Sequence, residues 1–445
     1  MKQGRFLIIA AALATMPLAA SALEADSIAP EPKNELSLDA DLKYRGELRR
    51  GGLINKRIDD KADNNKAQFI TGRTRLGITY KRDNFLELRI NAQHSGIWGQ
   101  AGKGGFNLYE AYAKLTARNG LFLKAGRQTF IYDDERILGN NDWSMAAMSH
   151  DAVLAGYEGH GHKLHLIGTF NQNAANVNGG TYYNSTDGAE PFKGLFTLWY
   201  HYDFKRVPLG ISALFMNMRM QNDSEDNHKT ENQQIAGTYI TFEPRRFVFE
   251  GSFYYQFGKD EFHVPIKAWM MSFKGTYDPT PQWTPYCGYD YLSGDPNPVV
   301  PKIGGIGMAQ HTVVRGFSPV YGSHHQFYGA MEFFYLGAFY GGYTPGLQNL
   351  YAGTEWRPFK GFEAETSYHY YATATKISDA ARTLGHEVRL ELSYNITDYV
   401  KASIGYTYMH GTSTLERMRQ VPGNQNLHWA WLMLQINPTI ITHRW

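Results

Sequence analysis

The stretch LSLDADLKYRGELR, Leu36–Arg49, decides how the rest of the chain is read. Its even positions, Leu36, Leu38, Ala40, Leu42 and Tyr44, are apolar. Its odd positions, Ser37, Asp39, Asp41, Lys43 and Arg45, are polar and almost all charged. A period of two is that of a β-strand, whose successive side chains point to opposite faces. One such strand also suits a soluble sandwich, so the repetition has to decide. In Phe85–Gln93, Leu86, Leu88, Ile90 and Ala92 alternate with Glu87, Arg89, Asn91 and Gln93. Leu384–Asn395 sets Val388, Leu390, Leu392 and Tyr394 against Glu387, Arg389, Glu391 and Ser393. Val400–Met409 repeats the pattern, and Phe247–Phe257 carries an apolar face of Phe247, Phe249, Phe253, Tyr255 and Phe257. Segments of about ten residues, oily on one side and ionic on the other, with tyrosine at several ends, predict a transmembrane β-barrel.

The connections alternate between short and long. Tyr80–Asn84, Ala117–Gly120, Glu158–His162, Phe204–Pro208, Glu243–Arg246, Asp278–Gln282, Arg357–Gly361 and Asn395–Asp398 read as tight turns. Longer polar stretches such as Arg50–Lys66, Tyr132–His150 and Asn171–Pro191 lie between them. Eight hairpins plus a first and a last strand make a single antiparallel barrel of about eighteen strands, all-β, with both ends on the short-turn side. That parity makes Gly294–Gly346 one very long connection, expected to fold into the lumen as a constriction around His324, His325 and Tyr328. Two extra strands hidden in it are the alternative.

Composition narrows the class. The chain has 445 residues, 14% aromatic and only 19% charged, with 45 glycines and one cysteine. One cysteine excludes an internal disulfide framework, and the formal net charge of +2 gives no footprint for nucleic acid. Lys2 and Arg5, the apolar run Phe6–Ala20 and Ala20-Ser21-Ala22 read as a cleaved signal peptide, residues 1–22, ahead of one barrel domain, 23–445. Its removal takes two of the 44 basic side chains and none of the 42 acidic ones, so the two signs then balance. Any preference for anions must come from where the charges sit.

Three stretches resemble the alginate export family of outer-membrane β-barrels. They are LYEAYAKL…LFLKAGRQTFIYDDERILGNNDW (Leu108–Trp143), GFSPVYGSHHQFYGAMEFFY (Gly316–Tyr335) and LGHEVRLELSYNITDYVKASIGYTYM (Leu384–Met409). The resemblance implies an eighteen-stranded barrel that passes a uronic-acid polymer through a basic lumen gated by loops. Two departures stand out: a tail, INPTIITHRW, follows the last clear strand (His428–Asn437), and Arg389 stands where the family pattern is acidic.

A polymer with one carboxylate per sugar needs cationic partners wherever the pore strips its water. Arginine suits this, being always protonated and able to grip a carboxylate with two N–H groups. Parity places Lys43, Arg45, Arg73, Arg75, Arg89, Lys114 and Arg389 on inward faces, as a ladder of anion contacts or as internal partners of lumenal acids. Arg127 shares the parity of Leu121, Leu123 and Ala125, which aims it at lipid unless Gly126 marks a bulge. The resemblance gives it the inward role. Arg136 is expected in a loop at the mouth.

His324 and His325 have no carboxylate at a metal-ligating spacing. Asp59, Asp60, Asp63 and Asp133-Asp134-Glu135 read as solvated loop acids, so no metal or cofactor is expected. The expected function is passive outer-membrane transport of an anionic polysaccharide or oligosaccharide. A small-solute anion-preferring porin is the alternative and a polysaccharide-acting enzyme a more distant one, since neither a G-x-S-x-G elbow nor an H-E-x-x-H helix is present. The expected partners are the glycan, outer-membrane lipid and periplasmic export or uptake components.

Overall fold

A computed structural model describes residues 33–51, 66–100, 104–171, 192–221, 230–296, 312–334, 344–419 and 426–445. The signal segment 1–22 and Asp59, Asp60 and Asp63 lie outside the described residues.

The strands are β1 (Asn34–Arg50), β2 (Lys66–Arg82), β3 (Leu86–Ile97), β4 (Gly105–Thr116), β5 (Leu121–Gln128) and β6 (His150–Gly159). Next come β7 (His162–Phe170), β8 (Gly194–Asp203), β9 (Leu209–Gln221), β10 (Thr230–Phe242), β11 (Phe247–Lys259) and β12 (Pro265–Tyr277). The barrel ends with β13 (Trp283–Leu292), β14 (Leu347–Trp356), β15 (Phe362–Ala372), β16 (Thr383–Thr397), β17 (Val400–Gly411) and β18 (Asn426–Ile436). A short segment β19 (Thr439–Arg444) follows, and one helix, α1 (Ser413–Arg419), sits in the loop before β18.

From β1 to β18 each strand pairs antiparallel with its neighbours in the chain, and β1 closes the ring by pairing with β18. Closure removes the free edges that lipid cannot hydrate. All eight short turns fall where the sequence places them. β13 pairs directly with β14, so the long connection is one loop, and among the described residues it contains no extra strand.

The tail after β18 is not a tail. Thr439–Arg444 continues the last strand along the lower half of β1, pairing Ile441 with Leu38 and Arg444 with Glu35. Pro438 has no N–H to give the ladder and sits at a register shift, where its carbonyl still accepts from the Ala40 amide at 3.1 Å. β18 and β19 are therefore one interrupted strand, and the barrel has eighteen.

Faces sort by parity. Leu432 is 63% exposed on the outside, while Arg73 on the inside has no exposure at all. Outward leucines, isoleucines and phenylalanines keep that band apolar. Stacked aromatics mark its short-turn rim: Phe247 on Tyr277 at 4.6 Å and Phe359 on Phe362 at 5.0 Å. Such a belt suits the interface between acyl chains and headgroups.

The lumen is filled rather than open. The loop between β5 and β6 (residues 129–149) folds inward and meets residues 312–334 of the long loop. Leu138 bridges Tyr321 in parallel, and Ser323 N–H donates to the Glu135 carbonyl at 2.9 Å. Gly322 allows this approach, since a Cβ there would lie 2.4 Å from the Arg136 carbonyl oxygen. Against this packing β9 and β12 turn an apolar inner face, Leu214, Met216, Met218, Ala268 and Met270.

Candidate functional site

The first four strands build the basic wall that parity predicts. Lys43 faces Arg73 and Asp41 faces Arg75 across the β1–β2 ladder. With about 3.3 Å rise per residue, successive inward rungs stand roughly 7 Å apart. Nearest the short turns, Arg89 bonds Asp39 and Glu110, each at 2.9 Å. Nearest the long loops, Glu47 takes Arg45 at 2.9 Å and Arg49 at 2.7 Å. Lys114 points inward with its ammonium 4.5 Å from the Phe122 ring centre.

The middle rungs converge on a residue that sequence reasoning missed. Asp142, from the 129–149 loop, accepts from Lys43 Nζ at 2.8 Å, Arg73 Nη1 at 2.8 Å and Arg75 Nη1 at 2.9 Å. Arg73 also grips Asp41 at 2.6 Å. The three cations are buried, so their charge must be answered from inside the protein. Against the opposing effect of its own burial, Lys43 and Arg73 hold the Asp142 carboxyl well below the usual carboxylate range. Next to it, Trp143 lies under the Arg45 guanidinium at 4.2 Å and stacks on His325 at 3.8 Å. The wall, the first loop and the long loop are thus joined in one stack.

Arg389 is inward as expected, but in a different neighbourhood. It pairs with Glu391 and, at 3.4 Å, with Glu365. Arg136 does not line a mouth. It is buried among acids, 3.0 Å from Asp134 and 3.1 Å from Asp290 of β13, with its guanidinium 4.1 Å over Phe327. Those carboxylates, led by Asp290, push its pKa further up against the desolvating effect of burial.

Arg127 faces outward and leaves the ladder. The β4–β5 register runs unbroken through Ala111–Arg127, Tyr112–Gly126 and Ala113–Ala125, so no bulge turns it in. Gly126 has φ +122°, and a Cβ there would meet the Ala111 carbonyl at 2.2 Å; close approach, not a bulge, explains the glycine. Arg127 meets outward Asp151 at 2.6 Å near the long-loop end, a pairing that answers its charge at the rim.

Of the expected constriction residues, Tyr328 is buried in the lumen, and His325 Nδ1 faces Glu332 at 3.1 Å. His324 opens a single helical turn, His324–Gln326. Glu387 fastens the same loop, accepting from the Ala330 and Met331 amides at 2.8 and 3.3 Å. Among the described residues no group of three or more His, Cys, Asp or Glu is placed to hold a metal ion.

A closed antiparallel barrel with an apolar belt and an ionic lumen plugged by its own loops is an outer-membrane β-barrel of the porin class. The chain belongs to the alginate export family, whose model matches residues 35–407. Crystal structures of similar fold include the outer-membrane protein opdK of Pseudomonas aeruginosa, with a TM-score of 0.61 and 10% identity over 93% of this chain and 100% of that one. OccK9 (OpdG) of the same organism gives 0.60 and 13%, covering 90% and 98%. OprD gives 0.57 and 14%, covering 91% and 96%. At these identities the likeness concerns the fold alone. No curated protein matches the chain.

Proposed function

We propose that the protein is a passive outer-membrane channel for carboxylate-bearing saccharides of the alginate kind, with no covalent chemistry. One observation carries the reading: Lys43, Arg73 and Arg75 converge within 2.9 Å on the carboxylate of Asp142. That carboxylate stands where a uronate group of the solute would sit, so a passing solute exchanges with it instead of paying to enter an empty cationic site. The ladder continues to Arg89 on one side and to Arg45 and Arg49 on the other. Several modest contacts let a chain advance and leave.

The test is conductance in planar bilayers. The parent barrel is expected to prefer anions, and acidic oligosaccharides are expected to interrupt its current. Reversing Arg73 and Arg75 to glutamate should abolish both effects, and a double variant with the parent's selectivity would overturn the assignment.

A second reading, a small-solute porin, is favoured by the two loops that fill the lumen and by the acids that neutralise the ladder. It predicts that small organic acids pass while long uronate chains neither enter nor block.

A further inference from the structure

Opposite the basic wall, the loops and strands β11–β16 enclose a cavity of about 530 Å³ whose balance is reversed. Seven carboxylates border it against three cations, Arg136, Lys274 and Arg389. Each cation is already answered: Arg136 by Asp134 and Asp290, Arg389 by Glu365 and Glu391, and Lys274 by Glu250 at 3.9 Å. Burial pushes the Asp133 carboxyl up, and leaving it out of the count still leaves acids in excess.

Three further side chains on this cavity, His325, Tyr328 and Ser367, each more than nine-tenths buried, have polar atoms without a hydrogen-bond partner. His325, 8% exposed, points Nδ1 at the Glu332 carboxylate, while its Nε2 has no hydrogen-bond partner. A carboxylate only accepts, so the imidazole proton belongs on Nδ1 and Nε2 is a bare acceptor. Ser367, 4% exposed on β15, has an Oγ without a partner. The His325 Nε2 asks for a donor, and the two hydroxyls of Ser367 and Tyr328 can each accept from one.

A metal ion does not answer, since no metal-ligating group of three occurs among the described residues. The aromatic rings of Tyr286, Tyr351 and Phe327 also border the space, and ring faces attract organic cations. A volume of this size accepts a solute of amino-acid or amino-sugar dimensions.

We propose that this cavity is a binding site for an organic ammonium group, on the side of the lumen away from the anion ladder. It recognises an amine through the carboxylates Glu250 and Glu365, the unpartnered acceptor on His325, the Ser367 hydroxyl and the surrounding rings. A solute carrying both an amine and a carboxylate would find a complementary partner on each side of the barrel.

The test is calorimetric titration of the detergent-solubilised barrel with putrescine, with butanediol as the neutral match in length. Binding requires no conduction, so its failure is distinct from failure of the channel reading. Saturable putrescine binding that weakens with added salt, with no response to the diol, is expected. The double variant Glu250→Gln/Glu365→Gln should bind about tenfold more weakly, since two charges near the amine are lost. Heat-modifiable migration in SDS gels shows whether that variant is folded; if it is not, the salt series on the parent protein decides. No saturable heat, equal binding of the diol, salt-independent binding, or a folded double variant with full affinity would each overturn the site.

Discussion

Asp142→Asn is the most informative single change, because it removes one charge and keeps the shape of the side chain. In the parent, Lys43, Arg73 and Arg75 face two acids, Asp41 and Asp142. The variant leaves the same three cations with Asp41 alone, so the rung gains one net positive charge. For an anion passing at roughly 8 Å in a medium of effective dielectric about 40, one unit charge is worth about 1 kcal/mol. The anion gains about fivefold and the cation loses as much, so the anion-to-cation permeability ratio should rise about 25-fold. The assay is the reversal potential across a bilayer under a KCl gradient, at low salt, because a Debye length of about 10 Å at 0.1 M screens the effect. The Asp142 side chain is 36% exposed, so the change weakens docking of the loop by only about 1 kcal/mol. A reversal potential equal to the parent's, or shifted toward cations, would refute the claim that this carboxylate occupies the anion position of the pore.

Further expectations concern the loop anchors and the pH range. The Asp142 carboxyl is held low in the folded barrel, so its contribution is present above the ordinary carboxylate pKa and lost only as pH falls through the lowered one. Selectivity should thus be steady from pH 7 down through the unperturbed carboxylate value of about 3.9 as far as this group is concerned, and a sharp change near that value would contradict the pairing. Glu387→Ala removes the acceptor for the Ala330 and Met331 amides, and should give a noisier current of larger mean conductance; an unchanged trace would mean that the loop is held elsewhere. Gly126→Val places a Cβ against the Ala111 carbonyl at a positive φ, and should sharply lower the yield of heat-modifiable barrel in refolding gels. Normal refolding would show that β4 and β5 tolerate separation there.

The strands that were legible in the sequence are those whose inner face meets water and ions. β1, β3, β16 and β17 alternate cleanly because one face touches lipid and the other lines a polar lumen. β9, ISALFMNMRM in its centre, does not alternate, because Leu214, Met216 and Met218 point inward into the apolar packing of the loops. Period alone cannot separate such a strand from a buried helix. The final strand was obscured by Pro438, which breaks the pattern while the backbone continues beyond it. Arg127 was legible from its parity and misplaced by the family resemblance. Asp142 carried no local signal: a lone acid in a loop meets its three partners, 67 to 99 residues away in sequence, only once the loop turns into the barrel.

The 129–149 loop gives these pieces a common logic. Its Asp142 end carries the acid that the β1–β2 wall needs, and its Arg136 end carries the cation that Asp290 needs on β13. The two ends are a few residues apart, yet each meets a wall of opposite sign, so the loop crosses the lumen as a strut with matched ends. The Arg136–Asp290 end is buried on both partners and breaking it costs roughly 3–5 kcal/mol, whereas the half-exposed Asp142 end is the weaker anchor. A pore that separates its charges across the lumen also builds a field across the path of the solute, orienting a dipolar solute before it meets any single contact. On that argument, swapping the signs of the strut by Arg136→Glu with Asp142→Arg should do more than add the two single effects. It sets like charges against both walls at once, and the barrel should refold with the loop expelled and the current greatly enlarged. Additive single effects with an unchanged pore size would mean that the loop is held by its other contacts, such as Leu138 beside Tyr321, and that the charges ride on it passively.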